Sequence, residues 1–191
     1  PVRMNVLIVG SGGREHALAW KIARSPRLDH LWVTPGNAGT VAPGVPGGNA
    51  PVASDDIAGL LDFVQARRVD LTVVGPEAPL AAGLVDAFQS HGLAVFGPGR
   101  AAAQIEANKA FAKDFMRRHG IPTARHATFS DFEAALDYVR SAAHPVVIKA
   151  SGLAAGKGVL LPESVDAAAT VLREILVERV FGDAGDRVVI V

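Results

Sequence analysis

The most specific chemistry in the chain lies in one run, Pro145-Val146-Val147-Ile148-Lys149-Ala150-Ser151-Gly152-Leu153-Ala154-Ala155-Gly156-Lys157-Gly158-Val159. Lys149 closes an apolar strand, Gly152, Gly156 and Gly158 leave the loop backbone open, and Lys157 sits among them. A strand–loop–strand hairpin of this kind can fold over a triphosphate as a flap, gripping it with backbone N–H groups and lysine charge. It is not a Walker A loop, because three residues separate Gly152 from Gly156 and Gly158 follows Lys157. The chain has five lysines, Lys21, Lys109, Lys113, Lys149 and Lys157, and two of them bracket this loop. A single lysine at a strand end usually reaches out to solvent. Two in a loop of three glycines point to an anion.

A second glycine cluster, Gly10-Ser11-Gly12-Gly13-Arg14-Glu15-His16, joins an apolar run to a helical pattern. Glycine lets backbone approach a ligand, and the N–H groups opening a helix favour an anion. Two readings stay open, a tight turn without ligand or a seat for a phosphate-bearing small molecule. The dinucleotide fingerprint fails twice: Glu15 holds its third glycine position, and Thr34-Pro35-Gly36 lacks the carboxylate that grips a ribose. Two further loops leave strand ends in the same way. One is Pro35–Ser54, twenty residues without evident structure, with Asn37, Gly39 and Thr40 near its start. The other is Gly75-Pro76-Glu77-Ala78-Pro79, whose Glu77 either faces a ligand or supports its own turn. Ligands bind at the carboxyl ends of strands in open α/β sheets.

The elements that must carry these loops follow from hydrophobic periodicity. Asn5–Gly10, His30–Thr34, Asp70–Gly75 and Leu93–Gly97 read as strands, the first a continuous run suited to burial on both faces. Helices are expected over Arg14–Arg24, with Ala17, Leu18 and Ile22 inward, from Asp55 or Asp56 to about Arg67, and over Pro79–Ser90. Strands alternating with helices imply a parallel sheet with right-handed crossovers. After Gly97-Pro98-Gly99 the pattern changes to helix over Arg100–His119, interrupted near Asn108. Then follow a strand, a helix (Asp131–Ser141), the hairpin of Pro145–Ala150 and Gly158–Leu161, a helix (Val165–Val177) and a strand (Arg187–Val191). The domain boundary falls within 99–122.

Composition narrows the classes. Nineteen basic and nineteen acidic residues cancel, which argues against a polybasic nucleic-acid binder or an acidic tail. Hydrophobic residues at 49% describe a globular chain, and no uncharged apolar stretch is long enough for a membrane span. Cysteine is absent, which removes disulfides, thiolate nucleophiles and Cys-bound zinc and suits the cytoplasm. The six histidines show no metal spacing, and Ser11 and Ser151 have no evident base. His16, beside the first glycine loop, reads as helix packing. Pro1-Val2-Arg3 before Met4 reads as a tag remnant or altered start.

Taken together, five blocks resemble the glycinamide ribonucleotide synthetases, the phosphoribosylamine–glycine ligases of the ATP-grasp superfamily. They are Gly12–Trp20, Pro35–Thr40, Val74–Leu80, Asn108–Phe115 and Lys149–Val159, in order along the chain. The resemblance implies an α/β fold: a doubly wound, Rossmann-like parallel sheet of the pre-ATP-grasp type, then a small α+β ATP-grasp subdomain. It implies a substrate-binding domain over 4–103, a helical linker opening the central ATP-grasp domain over 104–122, and a small lid subdomain over 123–191. The implied reaction joins glycine to 5-phosphoribosylamine through glycyl phosphate at the expense of ATP. By this likeness Lys109 and Lys149 contact ATP phosphates, and Gly152, Gly156, Lys157 and Gly158 cover them. Gly12, Gly13, Arg14, Asn37, Gly39, Thr40 and Glu77 hold the phosphoribosylamine. No catalytic residue is assigned, and ligands for Mg²⁺ or Mn²⁺ are expected beyond Val191. Small molecules are the expected partners, with neither nucleic acid nor membrane. Family members are much longer, so the chain is expected to be a fragment, inactive alone. Two alternatives remain, another ATP-grasp carboxylate–amine ligase or a non-catalytic module that binds a nucleotide or sugar phosphate.

Overall fold

The computed structural model describes residues 3–41, 43–154 and 156–191; Pro1, Val2, Ala42 and Ala155 of the motifs above lie outside the described residues. The chain divides into two units, one ending at Ala103 and one spanning Gln104–Val191.

In the first unit β1 (Met4–Gly10) is central because its run of β-branched and aliphatic residues can be buried on both faces. β2 (Leu28–Pro35) and β4 (Leu71–Val74) flank it, with β3 (Gly47–Asn49) and β5 (Val95–Phe96) at the edges. The order is β3-β2-β1-β4-β5 and every pairing is parallel. Alternate β1 residues face opposite layers. Val6 and Ile8 pack with Ala19 of α1 (Gly13–Ile22), while Leu7 and Val9 pack with Leu60 and Val64 of α2 (Ile57–Arg67). Asp56 caps α2 by accepting the Gly59 N–H at 2.9 Å. The chain winds outward from β1 to β3, then restarts on the other side at β4. That reversal leaves a crevice between the β1 and β4 carboxyl ends.

Four expectations change in this unit. The stretch 35–54 is not structureless, since Gly47–Asn49 adds a strand to β2. Two glycines and an asparagine have no strand preference of their own. They pair because a side chain at Gly47 would overlap the Leu31 main chain, so only glycine approaches β2 this closely. The single helix expected over Pro79–Ser90 is two, α3 (Glu77–Ala82) and α4 (Leu84–Ser90), divided by Gly83 at φ 95°. The strand expected over Leu93–Gly97 shortens to β5. On α1 the inward face carries Glu15 and Ala19, and Ala17 is exposed.

α5 (Arg100–Ala107) leads to α6 (Lys109–Arg118), separated from it by the extended backbone of Asn108. The second unit's sheet is antiparallel, in the order β6-β9-β7-β8: β6 (Ala127–Phe129), β7 (Ile148–Ala150), β8 (Val159–Leu160) and β9 (Val188–Ile190). α7 (Phe132–Ser141) and α8 (Val165–Leu176) supply Leu136, Val139, Leu172 and Ile175 to a core with Ile148, Val188 and Ile190. The fold is therefore α/β with a Rossmann-order parallel sheet followed by a small antiparallel α+β unit.

Candidate functional site

At the carboxyl edge of the parallel sheet three loops meet, following β1, β2 and β4. Gly36 N–H donates to the Gly10 carbonyl at 3.1 Å, and Gly75 N–H to the Val9 carbonyl at 3.0 Å, which ties the loop starts to β1. Asn37 organises the β2 loop. Its Nδ2 donates to the Ser11 carbonyl at 2.7 Å, its Oδ1 accepts the Gly39 N–H at 2.7 Å, and its N–H donates to Thr40 Oγ1 at 2.8 Å. Thr40 is buried, and its hydroxyl meets Asn49 Oδ1 at 2.7 Å. The side chains of Asn37 and Thr40, both expected at the ligand, also hold the loop's shape. Gly39 is exposed, with the His16 ring so close that an added Cβ would lie 2.6 Å from it. That contact gives His16 its packing role.

Gly12, Gly13 and Arg14 are exposed at the start of α1. Arg14 Nη2 reaches across to Glu77 Oε2 at 3.0 Å, joining the β1 and β4 loops. The Glu77 carboxyl is held below its ordinary range, first by its own backbone N–H and then by the Arg14 guanidinium. Glu77 therefore presents a carboxylate at the crevice. Beneath it, Glu15 is buried, and its role was not legible in the sequence beyond the failed fingerprint.

In the second unit the lysines gather where α6 meets the end of β7. Lys109 N–H donates to the Ser151 carbonyl at 2.7 Å, and Lys109 Nζ to the Gly152 carbonyl at 3.3 Å. Ser151 Oγ accepts the Ala110 N–H at 3.1 Å and donates to Asn108 Oδ1 at 2.9 Å. This small latch joins the helix start to the hairpin. Asn108 also caps α6, accepting the Phe111 N–H at 3.0 Å. Burial pushes the Lys109 ammonium below its ordinary value; Glu106 opposes the shift and Lys149 adds to it. Lys113 is lowered too, by burial and then by Lys149. The Lys149 charge thus acts on both helix lysines, and three cations share one region.

Lys113 is the residue that sequence reasoning left out of this cluster. Its available signal was the spacing of four from Lys109, which puts both on one helix face. Its Nζ donates to Thr123 Oγ1 at 2.7 Å. The glycine loop is an antiparallel hairpin, with Lys149 opposite Val159. Gly152 N–H donates to the Ala184 carbonyl at 2.9 Å, and Gly156 turns the loop at φ 79°. Lys157 is exposed near its tip, and Gly158 is buried.

Comparison with known proteins places these features in a lineage. Residues 4–106 match the family model of the phosphoribosylglycinamide synthetase N domain, and residues 107–191 match that of its ATP-grasp (A) domain. The chain belongs to the phosphoribosylglycinamide synthetase family. Within this family it is 55% identical over 188 residues to a phosphoribosylamine–glycine ligase of Yersinia pestis, and 56% identical to one of Allochromatium vinosum. Each alignment covers 98% of this chain and 44% of the relative, so the chain spans less than half the length of those synthetases. A solved phosphoribosylamine–glycine ligase of Thermotoga maritima superposes with a TM-score of 0.75 at 31% identity, over 97% of this chain and 43% of that one. The biotin carboxylase domain of a Hydrogenobacter thermophilus carboxylase, solved with MgADP, shares the fold alone, at a TM-score of 0.72 and 17% identity.

Among the described residues no three His, Asp or Glu side chains converge as a metal site. These residues offer no such cluster to hold a divalent cation. No described helix is long and apolar enough to cross a membrane.

Proposed function

We propose that this chain supplies the sugar-phosphate pocket and part of the ATP clamp of an ATP-dependent ligase that joins glycine to 5-phosphoribosylamine. One observation carries the reading above the rest. The match to a phosphoribosylamine–glycine ligase, at 55% identity, covers 98% of this chain and so takes in both the strand-end loops and the lysine hairpin. In the reaction a glycine carboxylate oxygen bonds to the γ-phosphorus of ATP as the bond to ADP breaks. The sugar amine then attacks the glycyl carbonyl carbon, phosphate leaves, and the nitrogen gives up a proton. The products are glycinamide ribonucleotide, ADP and phosphate.

Phosphoryl transfer depends mainly on positioning and charge neutralisation. Lys109 and Lys149 neutralise ATP phosphates, and the lowered basicity of Lys109 is relieved once an anion arrives. The hairpin bearing Gly152, Gly156, Lys157 and Gly158 lies over the phosphates with its backbone amides. Gly12, Gly13 and Gly39 present backbone to the sugar phosphate, while Asn37 and Thr40 keep the β2 loop in shape. Arg14 and Glu77 supply charges for the phosphate and the amine. The substrates are cytoplasmic small molecules, and divalent-cation ligands come from sequence outside this stretch.

A protein of the relatives' length carrying this sequence is expected to release ADP only when glycine and phosphoribosylamine are both present. ADP formation that persists without glycine refutes the assignment. For the 191-residue chain, calorimetry is expected to give binding of ribose 5-phosphate and weak binding of ATP, with no turnover. Tight ATP binding without sugar-phosphate binding indicates a nucleotide module instead.

A further inference from the structure

Glu15 is the only buried ionisable side chain among the described residues, 3% exposed. It stands where a dinucleotide fingerprint has its third glycine, the residue that lets helix and strand pack closely. Its bulk is accommodated from the other side. A Cβ on Gly10, at the end of β1, would lie 2.6 Å from Glu15 Cγ. A Cβ on Gly75, just past β4, would overlap Glu15 Oε1 and lie 2.6 Å from Cδ. The space taken from the helix is thus returned by glycines at the ends of the two strands that border the crevice.

The carboxylate makes one short bond, with Oε2 accepting the Gly12 N–H at 2.6 Å. Oε1 is buried with no hydrogen-bond partner. An orphaned buried oxygen is costly, and its persistence calls for a reason. The carboxylate sits at the start of α1, where the helix end favours negative charge. Its neighbour Arg14 holds the same β4 loop from outside, through the ion pair with Glu77. That pair is solvent-exposed and weak. Glu15 meets the same loop from within, close against Gly75.

We propose that Glu15 is a positioning residue, a buried side chain at the start of α1 whose bulk and bond to Gly12 set the separation of the β1 and β4 loops and so place Gly12 and Glu77 around the ligand. This rests on the sugar-phosphate reading of those loops. Glu15 touches no substrate itself.

The test titrates ribose 5-phosphate calorimetrically into the 191-residue chain and its Glu15→Ala and Glu15→Gln variants, with thermal unfolding of each. Glu15→Ala is expected to weaken binding by about ten-fold or more, through loss of the side chain that spaces the loops and accepts the Gly12 N–H. Glu15→Gln keeps the bulk and an acceptor for Gly12 N–H, and is expected to lose about three-fold or less. Unchanged affinity in Glu15→Ala, whatever its melting temperature, makes Glu15 merely structural and overturns the proposal. Should that variant not fold, Glu15→Asp takes its place: it keeps the charge but withdraws it by one methylene, and unchanged affinity there is equally fatal. If the unsubstituted chain does not bind ribose 5-phosphate, the sugar-phosphate reading fails first. The positioning claim is then decided by amide exchange at Gly12 and residues 75–77, where equal protection in Glu15→Ala overturns it.

Discussion

Replacing Ser151 with alanine removes one oxygen that joins the two halves of the lysine cluster. Ser151 is 6% exposed, and Ala110, whose N–H it accepts, is 2% exposed, so water cannot take its place without rearrangement. An orphaned buried donor costs about 1–3 kcal/mol. The lost bond to Asn108 Oδ1 adds little, because that oxygen keeps the Phe111 N–H at 3.0 Å. The expected total is about 2 kcal/mol, a factor of roughly thirty in the local opening equilibrium. The two units need not unfold together, so a single melting temperature is a poor reporter. Amide hydrogen exchange resolves them. Protection over residues 108–113 and 148–152 is expected to fall about thirty-fold in Ser151→Ala, with peptides of residues 4–103 serving as an unchanged internal control. Exchange at the α6 start within about two-fold of the parent chain refutes the latch, since two-fold corresponds to ~0.4 kcal/mol. Equal loss of protection in both units refutes it too, because the effect is then global destabilisation.

Lys149→Ala, in a protein of the relatives' length, is expected to remove one charge-assisted phosphate contact, costing about 1.5–3 kcal/mol in ATP use. A Michaelis constant for ATP and a turnover number that both stay unchanged count against its role. Without that charge, Lys109 and Lys113 should both titrate at higher pH, as read from side-chain NMR. The Glu77 carboxyl should titrate below the ordinary glutamate value of 4.5, and Arg14→Ala should move its midpoint upward. The stability it contributes is fully present above the unfolded value and lost as pH falls through the lower folded one. A midpoint indifferent to Arg14→Ala removes the ion pair from the argument. Gly152→Ala would set a Cβ 2.6 Å from the Ala184 main chain, which cannot swing aside as a side chain can. It should destabilise the second unit by about 1–3 kcal/mol in urea denaturation, and an unchanged midpoint disproves the close approach.

The helix cap at Asp55 or Asp56, which the structure assigns to Asp56, and the break at Asn108 were legible because each depends on neighbours in sequence. So was the hairpin after Lys149, whose glycines and lysines announce an open, cationic loop. Central strands such as β1 declare themselves by an unbroken apolar run that only double-sided burial tolerates. β3 did not, because Gly47-Gly48-Asn49 becomes a strand only when the β2 edge offers hydrogen bonds. Asn37 and Thr40 were legible as important, but not as scaffold; that needed the bonds to Ser11 and Asn49.

By itself, then, the sequence determined the βα alternation, the two glycine loops and the lysine hairpin, since backbone propensity and local spacing act over a few residues. Tertiary structure alone decided which charges share a space. Lys149 reaches Lys109 and Lys113 across about forty residues of chain because β7 and the start of α6 are hydrogen-bonded together. Glu15, which in sequence only spoiled a fingerprint, is seated by Gly10 at the end of β1 and Gly75 just past β4. A buried carboxylate needs space and a donor; the Gly12 N–H is local to the helix start, but only the assembled sheet provides the space.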